Sequence, residues 1–165
     1  MRANTPSAVL IALLERDGQV WTVFTRRPED LRRHPGEISF PGGRVDPTDA
    51  TFMATALREA EEEVGLDPAQ VTVLGALPPT PTIATGFAIY PFVAGVTGTV
   101  SWRPNPDEVA ELIELPLATV RDGYARRRLL RRGLPIRTDT YVVGDLLIWG
   151  ATARILGDLF DRLEP

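Results

Sequence analysis

Apolar and polar positions along the chain change period several times, and each change marks an element. Residues 8–15 form a nearly unbroken apolar run, the mark of a strand buried on both faces. Gly18 signals a turn, and residues 20–25 (VWTVFT) alternate as its hairpin partner. An arginine-rich loop over residues 26–35 leads into a short strand at 38–40, which stops at Pro41-Gly42-Gly43. Residues 49–64 have helical spacing. Thr48 or Asp49 can cap the start of this helix, and Gly65 sits where a left-handed residue ends one.

Further strands are expected at 71–77, 87–96 and near 109–115, with the PPTP stretch at 78–81 as a stiff extended connection. Residues 121–132 are expected to form a very polar helix. Residues 141–149 are apolar but broken at Gly144-Asp145. A last helix at 151–163 carries Ile155, Leu156, Leu159, Phe160 and Leu163 along one stripe. Strands through the middle with one helix among them and one at the end predict a mixed sheet with helices packed on its faces.

Length and composition narrow the chemistry. A chain of 165 residues fits one domain with one core, residues 1–165. It contains no cysteine, which excludes disulfides, thiol catalysis and cysteine–zinc sites. Its basic side chains are arginines apart from His34, so Schiff-base and P-loop lysines are excluded too. A formal charge of −4 argues against general affinity for nucleic acid. No apolar stretch approaches the roughly 20 residues that span a bilayer. The first residues lack the shape of a signal peptide, since their apolar run ends in Glu15-Arg16-Asp17, and the last three, Leu163-Glu164-Pro165, are no peroxisomal address. A soluble cytoplasmic protein without a membrane partner is the expectation.

The informative segment is GGRVDPTDATFMATALREAEEEVGL, residues 42–66. At about 3.6 residues per turn, Glu59, Glu62 and Glu63 share one sector. Met53, Ala56, Leu57, Ala60 and Val64 gather beside them and would face the core, while Glu61 points to solvent. Arg58 is spaced to pair with Glu62. Three carboxylates repel one another, more so near a helix C-terminus, where the dipole disfavours anions. Hard divalent ions such as Mg²⁺ or Mn²⁺ would relieve this, bridge phosphoryl oxygens and acidify a bound water. A glutamate run by itself reads most simply as a solvated face. The preceding Phe40-Pro41-Gly42-Gly43 shifts that balance, because glycines let the backbone approach a metal or phosphate closely.

Arg58, Glu59, Ala60, Glu62, Glu63, Gly65 and Leu66 resemble the second half of the Nudix box. The first half departs from it: counting from Gly43, the acidic position is Asp49 rather than glutamate, and the gap to Arg58 is one residue longer. Helix capping is the role expected of Asp49. Upstream, Thr25, Arg27, Arg32, Gly36, Phe40, Pro41, Gly42 and Gly43 resemble the signature of the coenzyme A pyrophosphatase branch, with Pro28 as a departure. Residues 105–109 (NPDEV) and 148–156 (IWGATARIL) look like that branch as well.

The resemblance implies an α/β/α sandwich of the Nudix type around a central mixed sheet. It implies Glu59 and Glu63 as principal metal ligands, Glu62 assisting, the Gly43 carbonyl completing the set, and Arg58 orienting the glutamates. The ions implied are Mg²⁺ or Mn²⁺. The general base stays open among Glu62, Glu108 and Glu111, with Glu108 preferred because Asp107-Glu108 lies in a loop able to fold over the site. The implied activity is metal-dependent cleavage of the diphosphate of coenzyme A or a derivative to adenosine 3′,5′-bisphosphate and 4′-phosphopantetheine. Another nucleoside diphosphate derivative (ADP-ribose, a dinucleotide, a nucleoside triphosphate) is the nearer alternative, and a non-catalytic nucleotide sensor the remoter one. Nudix domains often pair, so a homodimer is compatible with this reading.

Arginine forks suit phosphate. Arg27 and Arg32, at signature positions, and Gly36 are therefore the expected substrate contacts, whereas Arg26 and Arg33 read as solvated loop charge. His34 reads as a surface residue. Arg126-Arg127-Arg128 with Arg131-Arg132 can recognise an anion but reads first as an exposed helix face. Phe87 or Tyr90 can stack on adenine, and Trp102 and Trp149 read as packing.

Overall fold

The computed structural model describes residues 5–30, 36–82 and 86–164. Strand β1 (Thr5–Arg16) is central, and its apolar run is explained by burial on both faces. Ala8, Leu10, Ala12 and Leu14 point to one side, and Ile11 with Val9 and Leu13 to the other. Asp17 and Gly18, both at positive φ, turn the chain into the antiparallel β2 (Gln19–Arg26). On its other edge β1 runs parallel to β7 (Phe87–Val96) from Thr5 to Leu13. Antiparallel β5 (Val71–Ala76) then flanks β7, and β8 (Glu111–Pro116) flanks β2. The two-residue β6 (Thr80–Pro81) also pairs with β7.

Two short strands fill the space where β1 and β2 part. β3 (Ile38–Ser39) pairs with the end of β2, and β4 (Gly42–Arg44) with Ser7, Ala8 and Val9 of β1. This arrangement puts the two glycines at the heart of the sheet.

Helix α1 (Phe52–Val64) covers one face, with Ala56, Ala60 and Val64 against the even-numbered side chains of β1. The other face is covered by α2 (Leu117–Asp122) and α3 (Gly150–Leu163), which bury Leu117, Val120, Ile155, Leu156, Leu159 and Phe160 against Ile11, Phe24 and Ile38. Each fully buried leucine or isoleucine contributes about 2 kcal/mol from apolar area alone. The result is the expected sandwich around a mixed sheet. Met53 and Leu163, expected on core faces, are exposed.

Two local expectations are overturned. The start of α1 is capped by Thr51, whose hydroxyl accepts from the Ala54 amide at 3.0 Å, and not by Thr48 or Asp49. Of residues 121–132 only Arg121 and Asp122 are helical, as the end of α2. α2 ends at Gly123, where a Cβ would stand 2.2 Å from the Val142 carbonyl oxygen. The chain then forms β9 (Tyr124–Arg131), antiparallel to β10 (Leu134–Val143), which pairs in turn with β11 (Leu146–Ile148). Arg132 and Gly133, both at positive φ, make the two-residue turn that favours a tight hairpin. Cross-strand pairing here overrides the helical preference of arginine and leucine.

Candidate active site

α1 brings Glu59 and Glu63 one turn apart beside β4. The backbone approaches them so closely that only glycine fits. A Cβ on Gly43 would lie 2.5 Å from the Glu59 carboxyl carbon, and one on Gly42 would lie 2.3 Å from the Ala8 carbonyl oxygen. The Gly42 amide donates to Glu63 Oε2 at 3.3 Å.

The third carboxylate arrives on a loop pinned to the end of the same helix. Gly65 closes α1 in the left-handed conformation (φ 73°), donating to the Ala60 and Glu61 carbonyls. Two more end carbonyls are taken up from the loop: the Arg103 amide donates to Val64 at 2.9 Å and the Asn105 amide to Glu63 at 2.8 Å. The Asn105 carbonyl accepts from the Glu108 and Val109 amides, and the Ala110 amide donates to the Arg26 carbonyl at 2.8 Å. The helix end and β2 thus fix where Glu108 stands. One oxygen each from Glu59, Glu63 and Glu108 lies within 4.8 Å of the others.

Electrostatics set this trio apart from an ordinary acidic surface. Burial pushes the Glu63 carboxyl up to about 8, Glu59 and Glu108 add to the rise, and the Gly42 amide and Arg27 oppose it. Burial also raises Glu59, opposed chiefly by Arg58. Carboxylates held this near, two of them poorly solvated, are relieved by a proton or by a bound cation, and a donor set made of carboxylate oxygens suits a hard divalent ion. The residues present fit such an ion.

Arg58 organises the rim. Its Nε and Nη2 meet the two oxygens of Asp49, each at 2.9 Å. Nη1 reaches Glu59 at 3.1 Å and Glu62 at 3.3 Å, and Nη2 also donates to the Arg44 carbonyl at 3.1 Å. Asp49 accepts from Thr55 Oγ1 at 2.8 Å and from the Asp46 amide as well. It neither caps the helix nor joins the trio; it anchors Arg58, whose guanidinium holds its carboxyl well below the usual carboxylate range. Glu62 is exposed and turned to Arg58, outside the trio. Glu111 is exposed and paired with Arg26 at 3.1 Å.

A cleft of about 400 Å³ opens beside β4, lined among others by Arg27, Phe40, Gly42, Gly43, Arg44 and Phe87. The Arg27 carbonyl accepts from the Gly36 amide at 3.1 Å, and Gly36 has φ 69°. The Arg44 guanidinium lies 4.9 Å over the Phe87 ring. Neither Arg44 nor the Asp49 anchor was expected from the sequence. A guanidinium with five donors in a fork needs more than the one carboxylate that the i,i+4 spacing supplies, and that was the available sign of Asp49. Phe87 faces the cleft, while Tyr90 packs on Phe52 at 4.1 Å on the α1 side of the sheet. Arg32, Arg33 and His34 lie outside the described residues.

The NUDIX domain family matches residues 4–132 of this chain. An uncharacterized Nudix hydrolase, NudL from Salmonella paratyphi B, is 41% identical over 155 residues, which cover 93% of this chain and 80% of the relative. The NUDIX domain of Shewanella oneidensis NrtR, solved with ADP ribose, superposes with a TM-score of 0.64 at 14% identity, covering 99% of this chain and 90% of that one. A C. elegans Ap4A hydrolase in a binary complex gives a TM-score of 0.58 at 18% identity, covering 68% and 80%. At these identities the two solved structures are evidence of a shared fold.

Proposed function

The chain belongs to the Nudix family, and from that premise we propose that it hydrolyses the pyrophosphate of a nucleoside diphosphate derivative, namely coenzyme A or one of its esters. The observation that carries the reading is the trio Glu59, Glu63 and Glu108, with oxygens within 4.8 Å of one another and two of them held against Gly42 and Gly43, which also line a cleft with Arg27 and Arg44.

Glu59 and Glu63 would hold Mg²⁺ or Mn²⁺, with the Gly43 carbonyl and Glu108 beside them and Glu62 assisting from its place at Arg58. Bound there, such an ion offsets the charge growing on phosphoryl oxygens and makes water more acidic. The protein's own part is largely positional. Asp49 clamps Arg58, Arg58 fixes the Glu59 carboxylate, and the Gly42 amide fixes Glu63. Glu108 is the favoured general base. It would take a proton from the water whose oxygen attacks phosphorus, as the bond from phosphorus to the bridging oxygen breaks and the leaving phosphate departs with the electron pair. Glu62 is the second candidate, and Glu111 is already engaged by Arg26. Arg27 at the cleft, together with Arg32 and Gly36, would receive the substrate's phosphates.

Coenzyme A is favoured by the signature residues Thr25, Arg27, Arg32, Gly36 and Phe40 to Gly43, and by a cleft that sets Arg27 and Arg44 around an aromatic floor. The NrtR domain with ADP ribose, which matches nearly the whole chain in fold, supports ADP-ribose as the second reading. Mass spectrometry of products formed with Mn²⁺ decides between them. Coenzyme A should yield adenosine 3′,5′-bisphosphate and 4′-phosphopantetheine; turnover of ADP-ribose alone would remove the coenzyme A reading. Glu63→Gln should lose most turnover with the fold intact, and parental activity in that variant would overturn the site assignment.

A further inference from the structure

The β9–β10 hairpin is a concentration of positive charge that the proposed hydrolysis leaves unexplained. Residues 124–139 hold six arginines against one aspartate, a local +5 in a chain of formal charge −4, which leaves −9 on the remainder. None of the six makes an ion pair with a carboxylate among the described residues, and Asp139 is occupied by the Tyr124 hydroxyl at 2.7 Å. Arg128 and Arg137 stand directly opposite each other across the strands, a like-charge pairing that weakens the hairpin. The two most exposed large apolar side chains among the described residues, Leu130 (77%) and Leu134 (68%), flank the same turn.

The register sorts these groups. Arg126, Arg128, Leu130, Pro135 and Arg137 share one face, and all five are exposed. The base of the hairpin is fixed to the body, since Tyr141 packs on both Tyr124 and Phe160 at 5.6 Å and the Val142 amide donates to the Gly123 carbonyl. None of the hairpin's residues lines the cleft beside β4. The hairpin is thus firmly based; its turn is Arg132-Gly133, Leu130 and Leu134 flank that turn from opposite faces, and arginines lie on both faces.

Against the expectation of no membrane partner, we propose that this hairpin docks the protein end-on on an anionic phospholipid bilayer, with Leu130 and Leu134 entering the interface on either side of the turn and Arg126, Arg128, Arg132 and Arg137 meeting lipid phosphates. Exposed leucines set among arginines match a bilayer surface, apolar below and anionic at the headgroups, because the long arginine side chain keeps its charge at the headgroups while its stem lies among apolar groups. Charged residues also guard a sheet edge against pairing with another chain, and β9 is such an edge. That role does not account for Arg137 on the central strand β10 or for two bare leucines. Single-stranded nucleic acid is recognised largely by aromatic stacking, and Tyr124, at the base and tied to Asp139, is the hairpin's one aromatic on that face short of Tyr141. The acidic remainder of the molecule would be repelled by the same membrane, so attachment is oriented by the hairpin. The inference is independent of the hydrolase reading.

The test is sedimentation of the full chain with phosphatidylserine–phosphatidylcholine vesicles, compared with vesicles of phosphatidylcholine alone, at low and high salt. Binding is expected to the anionic vesicles only and to weaken as salt rises. An arginine near such a surface is worth about fivefold in affinity, so Arg126→Gln with Arg128→Gln and Arg137→Gln should weaken binding on the order of 100-fold. The corresponding three lysine substitutions should retain it, which separates charge from a folding defect. Leu130→Ser with Leu134→Ser should weaken binding with every arginine in place, and hydrolysis in free solution should be unchanged in all these variants. No binding to anionic vesicles at low salt overturns the proposal. So does equal binding to inorganic polyphosphate that ignores the leucine changes, or self-association in light scattering that the arginine changes abolish.

Discussion

Gly43 sits against the carboxylate of Glu59 so tightly that its missing Cβ would stand 2.5 Å from the Glu59 carboxyl carbon. The strand that carries Gly43 is held by β1, and the helix that carries Glu59 is packed on the core, so neither side of the contact can retreat freely. Gly43→Ala should therefore move the Glu59 side chain and spare most of the fold. A displacement of about 1 Å at a catalytic group typically lowers turnover on the order of 100-fold. Steady-state kinetics beside a thermal melt checks this: activity should collapse with a modest change in Tm. Gly42→Ala, whose Cβ would meet the backbone of β1 at 2.3 Å, should instead fail in the melt itself.

Asp49 and Arg58 make a paired contact of two bonds at 2.9 Å, and Arg58 then reaches Glu59 and Glu62. Removing the anchor frees the guanidinium to shift against the glutamates. Partners that orient a ligand-bearing group are commonly worth about 10- to 100-fold in metal affinity or activity. Asp49→Asn is expected in that range, with the loss in kcat rather than KM. The Asp49 carboxyl is held below its ordinary range when folded, so its contribution to stability is full above the unfolded value of about 4 and fades as pH falls through the folded one. The variant should show a flatter acid limb in a Tm-against-pH series; a limb identical to the parent's would contradict the anchor role.

The site was legible in the sequence where local periodicity dictates it. One helical sector joins Glu59 to Glu63, the glycine pair precedes them, and Gly65 stops the helix, all from spacing within 25 residues. The Glu108 loop was legible as a candidate but not in position, because its placement depends on the Arg103 and Asn105 amides finding the end carbonyls of α1 across some 40 residues of chain. Asp49 stands at the expected helix start with Thr48, either of them able to cap it by residue type, and only the folded loop decides which oxygen meets the free amides. The structure departs furthest from the sequence expectation at 121–132, because arginine and leucine favour helices in isolation. The Arg132-Gly133 turn and the pairing with β10 are what make that segment a strand.

Glu63 carries a pH dependence that works against the metal-free fold. Its folded pKa of about 8 lies above the unfolded value of about 4.3, so the unfolded chain binds fewer protons between those limits. Stability of the metal-free protein should fall as pH rises through that window, with a slope of up to roughly 1.4 kcal/mol per pH unit from this group, and level off above it. Glu63→Gln removes the term. In the presence of a chelator the variant should match the parent near pH 4 and melt higher near pH 8. A variant that melts lower than the parent at pH 8 would mean that the carboxylate stabilises the fold in its ionised state.

Metal binding supplies the last prediction, because it separates the trio from the other acidic residues nearby. An ion that binds only the folded protein raises its stability by about 2.7 kcal/mol at a hundred times its Kd, which corresponds to roughly 5 to 10 °C in Tm for a domain of this size. Titrating Mn²⁺ into the wild type should give such a rise, and a chelator should reverse it. Glu59→Gln and Glu63→Gln remove an oxygen donor from the core of the trio and should abolish the rise. Glu108→Gln keeps the loop's backbone bonds to Asn105 and should weaken it by about 10-fold in apparent affinity. Glu111→Gln disturbs only an exposed pair with Arg26 and should leave the Mn²⁺ response unchanged. If Glu108→Gln behaves like Glu111→Gln while Glu62→Gln suppresses the response, the exposed carboxylate beside Arg58 is the third ligand, and Glu108 is free to serve the reaction as a base alone.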